Sequence, residues 1–186
     1  MTSERQNDGP VREVRVVPYD PAWPRQFLEE AERLRAVFGR ELVDIHHIGS
    51  TSVPGLAAKP IIDILPVVRD IGVVDRFNGA MEELGYEAMG ELGLPGRRYF
   101  RRTHVRDGFV CHTHHVHVYA LGNPEIDRHL AFRDYLRANP EVARRYAELK
   151  QELARRFPHD IEGYMDGKDV FIKDVERTAL AWWRRR

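Results

Sequence analysis

IGSTSVPGLAAKPIIDILPVV, residues Ile48–Val68, opens on a Gly-Ser corner, runs through a hydroxyl-rich turn and closes in an apolar run, Ile61–Val68, interrupted by one acid. A run of β-branched and aliphatic residues that follows a proline reads as a buried strand, and the lone carboxylate inside it, Asp63, needs a partner or a metal. The preceding LVDIHHI, Leu42–Ile48, has the same strand composition, so Gly49-Ser50 marks a strand giving way to a short helix. Such junctions expose backbone N–H groups. Gly49, Ser50, Thr51 and Ser52, with Lys59 behind them, therefore form a candidate anion cradle of the kind that holds phosphates. The chain has no GxxxxGK, so it is not a P-loop enzyme by sequence.

A second chemical cluster is CHTHHVHVY, Cys111–Tyr119. From His115 the alternation is clean, with His115, His117 and Tyr119 on one strand face and Val116, Val118 and Ala120 on the other, packed inward. His46 and His47 fall on opposite faces of their strand, and at position 47 a substrate contact and a structural role are both open. RRYFRR, Arg97–Arg102, reads as a strand with Arg97 and Arg101 on one face and Arg98 and Arg102 on the other, suited either to a solvated edge or to phosphate.

Apolar-Gly-Ser, twelve intervening residues, then Asp-apolar-X in a strand resembles the signature of the nucleotidyltransferase fold shared with DNA polymerase beta. The fuller string GSTSVPGLAAKPIID, with YDPAWP upstream and HVHVY, FRDYLRANPEVARRYAELK and FIK downstream, resembles the GrpB-like family from about Val16 to Trp183. That resemblance implies an α/β (α+β) fold, a nucleotidyltransferase-like mixed sheet flanked by helices with a C-terminal helical segment. It implies metal-dependent nucleotidyl or phosphoryl transfer, with Asp63 catalytic and a nucleotide or phosphorylated small molecule held by the Gly49–Ser52 turn, Lys59, Arg101, Lys150 and Lys168. One departure bears on activity. Active nucleotidyltransferases carry a second strand carboxylate two residues on, and here that position is Leu65. The strand of His115 and His117 is the counterpart of the one that brings a third carboxylate, so Asp63, His115 and His117 would form a facial triad for a divalent ion: Mg²⁺ with oxygen ligands, or with imidazoles Mn²⁺ or Zn²⁺. The alternatives are a catalytically degenerate helper module for a partner such as a coenzyme A biosynthesis enzyme, since GrpB-like domains also occur fused to dephospho-CoA kinase, and a hydrolase with Asp44, Glu91 or Asp107 as base.

At 186 residues the chain suits one domain with a sizeable core. The expected layout is a disordered lead-in over 1–13 and a single domain over 14–186, with an α/β core to 121 and a helical part from 122. Twenty-nine basic and 29 acidic residues cancel, which argues against duplex nucleic acid as the main partner. No apolar run approaches the roughly 20 residues needed to span a bilayer, so no membrane partner is expected. One cysteine, Cys111, excludes an internal disulfide and a multi-thiolate zinc site and fits a reducing cytoplasm. Only four of the 29 cations are lysines, Lys59, Lys150, Lys168 and Lys173, and the last three, with Tyr146, are placed to reach the cleft from helices.

The remaining pattern predicts an edge strand at Val14–Val17, a helix from Pro24 to Phe38, a helix over Val73–Leu84, and a loop or short strand over Tyr86–Leu94. Three helices follow: Pro124 to Ala138, Pro140 to Phe157, and one starting at Gly167-Lys168 and ending near Trp183, after a loop or short helix over 160–166.

Overall fold

The computed structural model describes residues 12–186. Five strands form one mixed sheet: β1 (Leu42–Ile48), β2 (Ile62–Val68), β3 (Tyr86–Ala88), β4 (Arg97–Arg106) and β5 (Phe109–Ala120), in the order β1-β2-β5-β4-β3. Only β2 and β5 are parallel, and they sit at the centre, with Asp63 opposite His115. Strand β1 pairs antiparallel with β2, which sets Ile48 opposite Asp63. The apolar run read at Ile61–Val68 thus becomes the strand buried on both faces, as continuous hydrophobic runs in parallel pairings are.

One sheet face is covered by α1 (Trp23–Phe38), where Trp23, Ala31, Leu34 and Phe38 recur at helical spacing and pack on Ile62, Ile64, Val68, Val116 and Val118. The valines of β5 do face inward. The other face meets α3 (Pro124–Ala138), whose Ile126 and Leu130 close over Ile48, Leu65, Val67 and Tyr119. Helices α4 (Pro140–Arg156) and α5 (Ile161–Trp183) join α3 around Val53, Leu56, Leu136, Tyr146 and Val175. No helix is long and apolar enough to cross a membrane among the described residues.

Several expectations change. The lead-in over 1–11 lies outside the described residues, but Arg12 already bridges Val110 of β5 and Val14 donates its N–H to Pro158. Val14–Val17 is no strand of the sheet: Val17 exchanges both backbone hydrogen bonds with Ala58 as an isolated bridge, because the sheet edge at β1 lies elsewhere. The segment over Val73–Leu84 divides into a 3₁₀ turn, Ile71–Phe77, capped by Asp70, whose carboxylate accepts from the Gly72 N–H, and a short α2 (Asn78–Glu83). Tyr86–Leu94 contains the short strand β3.

Strands β4 and β5 run further toward each other than the alternation suggested, meeting at Asp107-Gly108, both with positive φ, a two-residue hairpin turn. Helix α5 starts six residues earlier than Gly167. Asp160 caps it by accepting from the Gly163 N–H at 2.9 Å, and both glycines inside it are sites of close approach. A Cβ at Gly163 would stand 2.7 Å from Cδ1 of Phe157, and one at Gly167 would run into the Leu153 side chain.

Candidate functional site

Asp63 leaves β2 on the face opposite α1, and its carboxylate meets the imidazoles of the neighbouring strand. Its Oδ1 lies 3.3 Å from His115 Nδ1 and 3.2 Å from His117 Nε2. One ligand atom from each residue falls within 4.8 Å of the others, a donor set of two nitrogens and an oxygen. Burial opposes ionisation of Asp63, but hydrogen bonds and charge from His115 and His117 outweigh it and hold the group below the usual carboxylate range. Burial in turn lowers His117, against the pull of Asp63.

Gly49 makes this approach possible. Its φ of 70° and ψ of −173° belong to glycine alone, and a Cβ there would sit 2.6 Å from Asp63 Oδ2. Ser50 then opens a 3₁₀ turn, Ser50–Ser52, at the mouth of the cleft. Thr51 and Ser52 turn away from it: Thr51 donates to the Ile61 carbonyl and bonds His47 Nε2 at 3.0 Å, while Ser52 donates to the Gly49 carbonyl. Their hydroxyls hold the loop. His47 is structural as well, stacked on Phe27 with centroids 4.8 Å apart.

The position of the second strand carboxylate is sealed. Leu65 is fully buried with Val67 and Tyr119 beneath Ile126 and Leu130, and it does not line the cleft. A two-Mg²⁺ clamp of carboxylates therefore does not fit this sheet, whereas one divalent ion of intermediate hardness fits Asp63, His115 and His117.

Beside the triad lies a cavity of about 490 Å³. Its far wall comes from the loop before β2 and from α4 and α5, which bring in Lys59, Lys150 and Lys168. Lys59 and Lys168 place Nζ 5.1 and 5.0 Å from the Tyr164 ring centre, and Lys150 Nζ lies 4.3 Å from that of Tyr146 and 2.9 Å from Ser50 Oγ. Among the described residues no carboxylate reaches any of the three. Lys173 is the lysine with such a partner, Asp169 at 2.6 Å, and it lies exposed on α5 outside the cleft, not reaching it as expected. Burial, followed by the charge of Lys168, lowers Lys59 to about 8, and burial with the other two ammonium groups holds Lys150 well below the ordinary lysine range. Asp63 offsets part of this for Lys59 and Lys168, and cations that repel one another with so little acidic charge beside them are relieved by an anion.

Arg101 lines the cleft from β4 but is paired with Glu87 at 2.7 Å. Arg97, on the same face, is buried over Tyr99 and donates to the carbonyls of Glu91 and Leu92. Arg98 and Arg102 point to the other face, toward Asp75 and the buried Glu30. Asp44, Glu91 and Asp107 do not line the cleft, which leaves the hydrolase reading without its base.

Arg12, His112, His129 and Tyr164 also line the cleft and were not read as site residues. His112 hid because alternation counted back from His115 sends it to the far face. The register between β4 and β5 shifts at Arg102/Thr103, leaving Thr113 unpaired, and this bulge returns His112 to the near side, with Nδ1 2.7 Å from His115 Nε2. His129 had only its helical spacing, three residues after Ile126, to place it over the sheet, where its ring lies 5.5 Å from that of His117.

A family model described as GrpB protein matches residues 13–178. The chain is 50% identical over 177 residues to UPF0157 protein YqkA of Bacillus subtilis, covering 95% of this chain and 50% of that relative, so it spans half the length of YqkA. Among solved structures, conserved protein GrpB from Enterococcus faecalis superposes with TM-score 0.86 at 49% identity, over 91% of this chain and 99% of that one. Cid1 in complex with its short product ApU aligns with TM-score 0.51 at 14% identity, over 76% of this chain and 43% of Cid1, a likeness of fold. With a nucleotidyltransferase-like sheet, an Asp-His-His cluster in place of paired carboxylates, and a family match running nearly end to end, this chain belongs to the GrpB family.

Proposed function

We propose that the cleft binds a nucleotide or another phosphorylated small molecule with one divalent ion, and that it supports phosphoryl or nucleotidyl transfer. The observation that carries this reading is the arrangement of three lysines, Lys150 and Lys168 buried and Lys59 half-buried, without carboxylate partners within salt-bridge distance among the described residues, facing Asp63, His115 and His117 across one cavity. Asp63, His115 and His117 hold the ion, which lends Lewis-acid charge to a phosphate oxygen when bound. Lys59 and Lys168 receive the charge that grows on the leaving phosphate, and Ser50 with the turn's backbone amides orients the anion. Arg101, paired with Glu87, supports the rim. The single cysteine fits a reducing, cytoplasmic setting.

The test is thermal unfolding of the wild type and Asp63→Asn with each nucleoside triphosphate, alone and with Mg²⁺, Mn²⁺ or Zn²⁺. A ligand at a hundredfold its Kd adds about 2.7 kcal/mol, worth several degrees for a chain of this size. A metal-dependent rise lost in Asp63→Asn supports the reading. No rise with any nucleotide and metal in the folded protein sinks it and returns the helper role to the front.

A further inference from the structure

We infer that Ser50 and Lys150 form a nucleophile–base dyad, so that Ser50 carries the transferred group as a covalent serine ester. Ser50 is half-buried at the cleft mouth, and its Oγ lies 2.9 Å from Lys150 Nζ, the one side-chain hydrogen bond of that lysine among the described residues. Lys150 is 2% exposed, has no carboxylate to hold its proton, and shares the cleft with Lys59 and Lys168. Burial and the neighbouring ammonium groups favour the neutral form of Lys150, and once neutral its Nζ lone pair faces the Ser50 hydroxyl 2.9 Å away. An adjacent base is what converts a serine from a weak nucleophile into a reactive one. Lys59 and Lys168 stay behind as the charged pair that receives the leaving group.

With a phosphoanhydride as electrophile, the step balances as follows. Ser50 Oγ–H passes its proton to Lys150 Nζ, Oγ forms a bond to phosphorus, and the P–O bond to the leaving phosphate breaks with its electron pair kept on that oxygen. In the second step water or an acceptor alcohol bonds to phosphorus, the P–Oγ bond breaks with its electron pair kept on Oγ, Lys150 returns its proton to Ser50 Oγ, and the attacking oxygen releases its proton to solvent. The identity of the electrophile rests on the phosphorylated-ligand reading above, whereas the dyad does not.

A fluorophosphonate probe tests the dyad without any nucleotide: attack by Ser50 expels fluoride and leaves a stable serine adduct located by peptide mass spectrometry. The expected result is labelling of Ser50 in the native protein at a rate that rises with pH and levels off below the ordinary lysine range. Lys150→Met, which preserves the volume, should slow it about a hundredfold, and Lys150→Arg should do the same, because a guanidinium keeps the charge but cannot act as a base. Wild-type rates in both folded variants, a wild-type rate that climbs with hydroxide without levelling, or no Ser50 adduct above a urea-unfolded control would each overturn the dyad. Inorganic pyrophosphate should slow labelling of the native protein. Labelling that pyrophosphate leaves untouched would keep the nucleophile and overturn the phosphoanhydride.

Discussion

Gly49 couples two requirements in one position: a backbone conformation open to glycine and the absence of a Cβ where Asp63 Oδ2 passes. Gly49→Ala is expected to cost about 1–3 kcal/mol from backbone strain alone, read from urea unfolding, and to weaken the metal binding proposed for Asp63, because that carboxylate must move. Leu65 gives the opposite lesson. Its identity announced in the sequence that a carboxylate was missing; only its packing shows that the place for one has gone as well. Leu65→Asp should therefore not restore a two-metal site. It should destabilise the fold by several kcal/mol, since a charge would be left unpaired beneath α3, and isothermal titration with Mg²⁺ should detect no added binding. The alternation of His115 and His117 with Val116 and Val118 was legible because period two depends on the chain alone. His112 was not, because a bulge is decided by the partner strand.

At the level of elements, strands and helices with strong periodicity were readable, and their ends were not where packing set them. The early start of α5 is an instance: the sequence pattern opens the helix at Gly167, whereas it begins at Ile161 and takes in Gly163 and Gly167, each lying against a side chain that leaves no space for a Cβ. In an exposed helix, glycine to alanine gains about 1 kcal/mol. Here Gly167→Ala is expected to lose about 1–3 kcal/mol through overpacking against Leu153, and the double variant with Leu153→Ala should show strong coupling between the two sites when both are measured by chemical denaturation. The hairpin turn at Asp107-Gly108 is a D-G pair between extended runs, a local turn signal that the strand alternation, broken by the bulge at Thr113, does not carry.

For the whole molecule, acid should be destabilising in a defined window. Burial pushes His47 from its ordinary 6.5 down to about 4, with Asp63 pulling the other way and Arg137 and Arg133 adding to the fall. The native state then binds fewer protons than the unfolded chain between those values, so the stabilisation is complete above about pH 6.5 and is lost as pH falls toward 4. The loss from this group is on the order of 2–3 kcal/mol, and His47→Gln should flatten the profile of unfolding free energy against pH. At this scale composition and spacing do not say which strands become neighbours; the resemblance to the nucleotidyltransferase fold supplies the pairing that brings Asp63 to His115 and His117. Asp63 and His117 are 54 residues apart and meet only because β2 and β5 pair in parallel at the centre of the sheet. That separation has a consequence in time. Closing so long a loop is slow compared with winding α3, α4 and α5, so during refolding from urea the helical circular dichroism should recover first. The metal uptake proposed for Asp63, His115 and His117, followed as loss of the ion from a chelating indicator dye, should return later, with the kinetics of the last step.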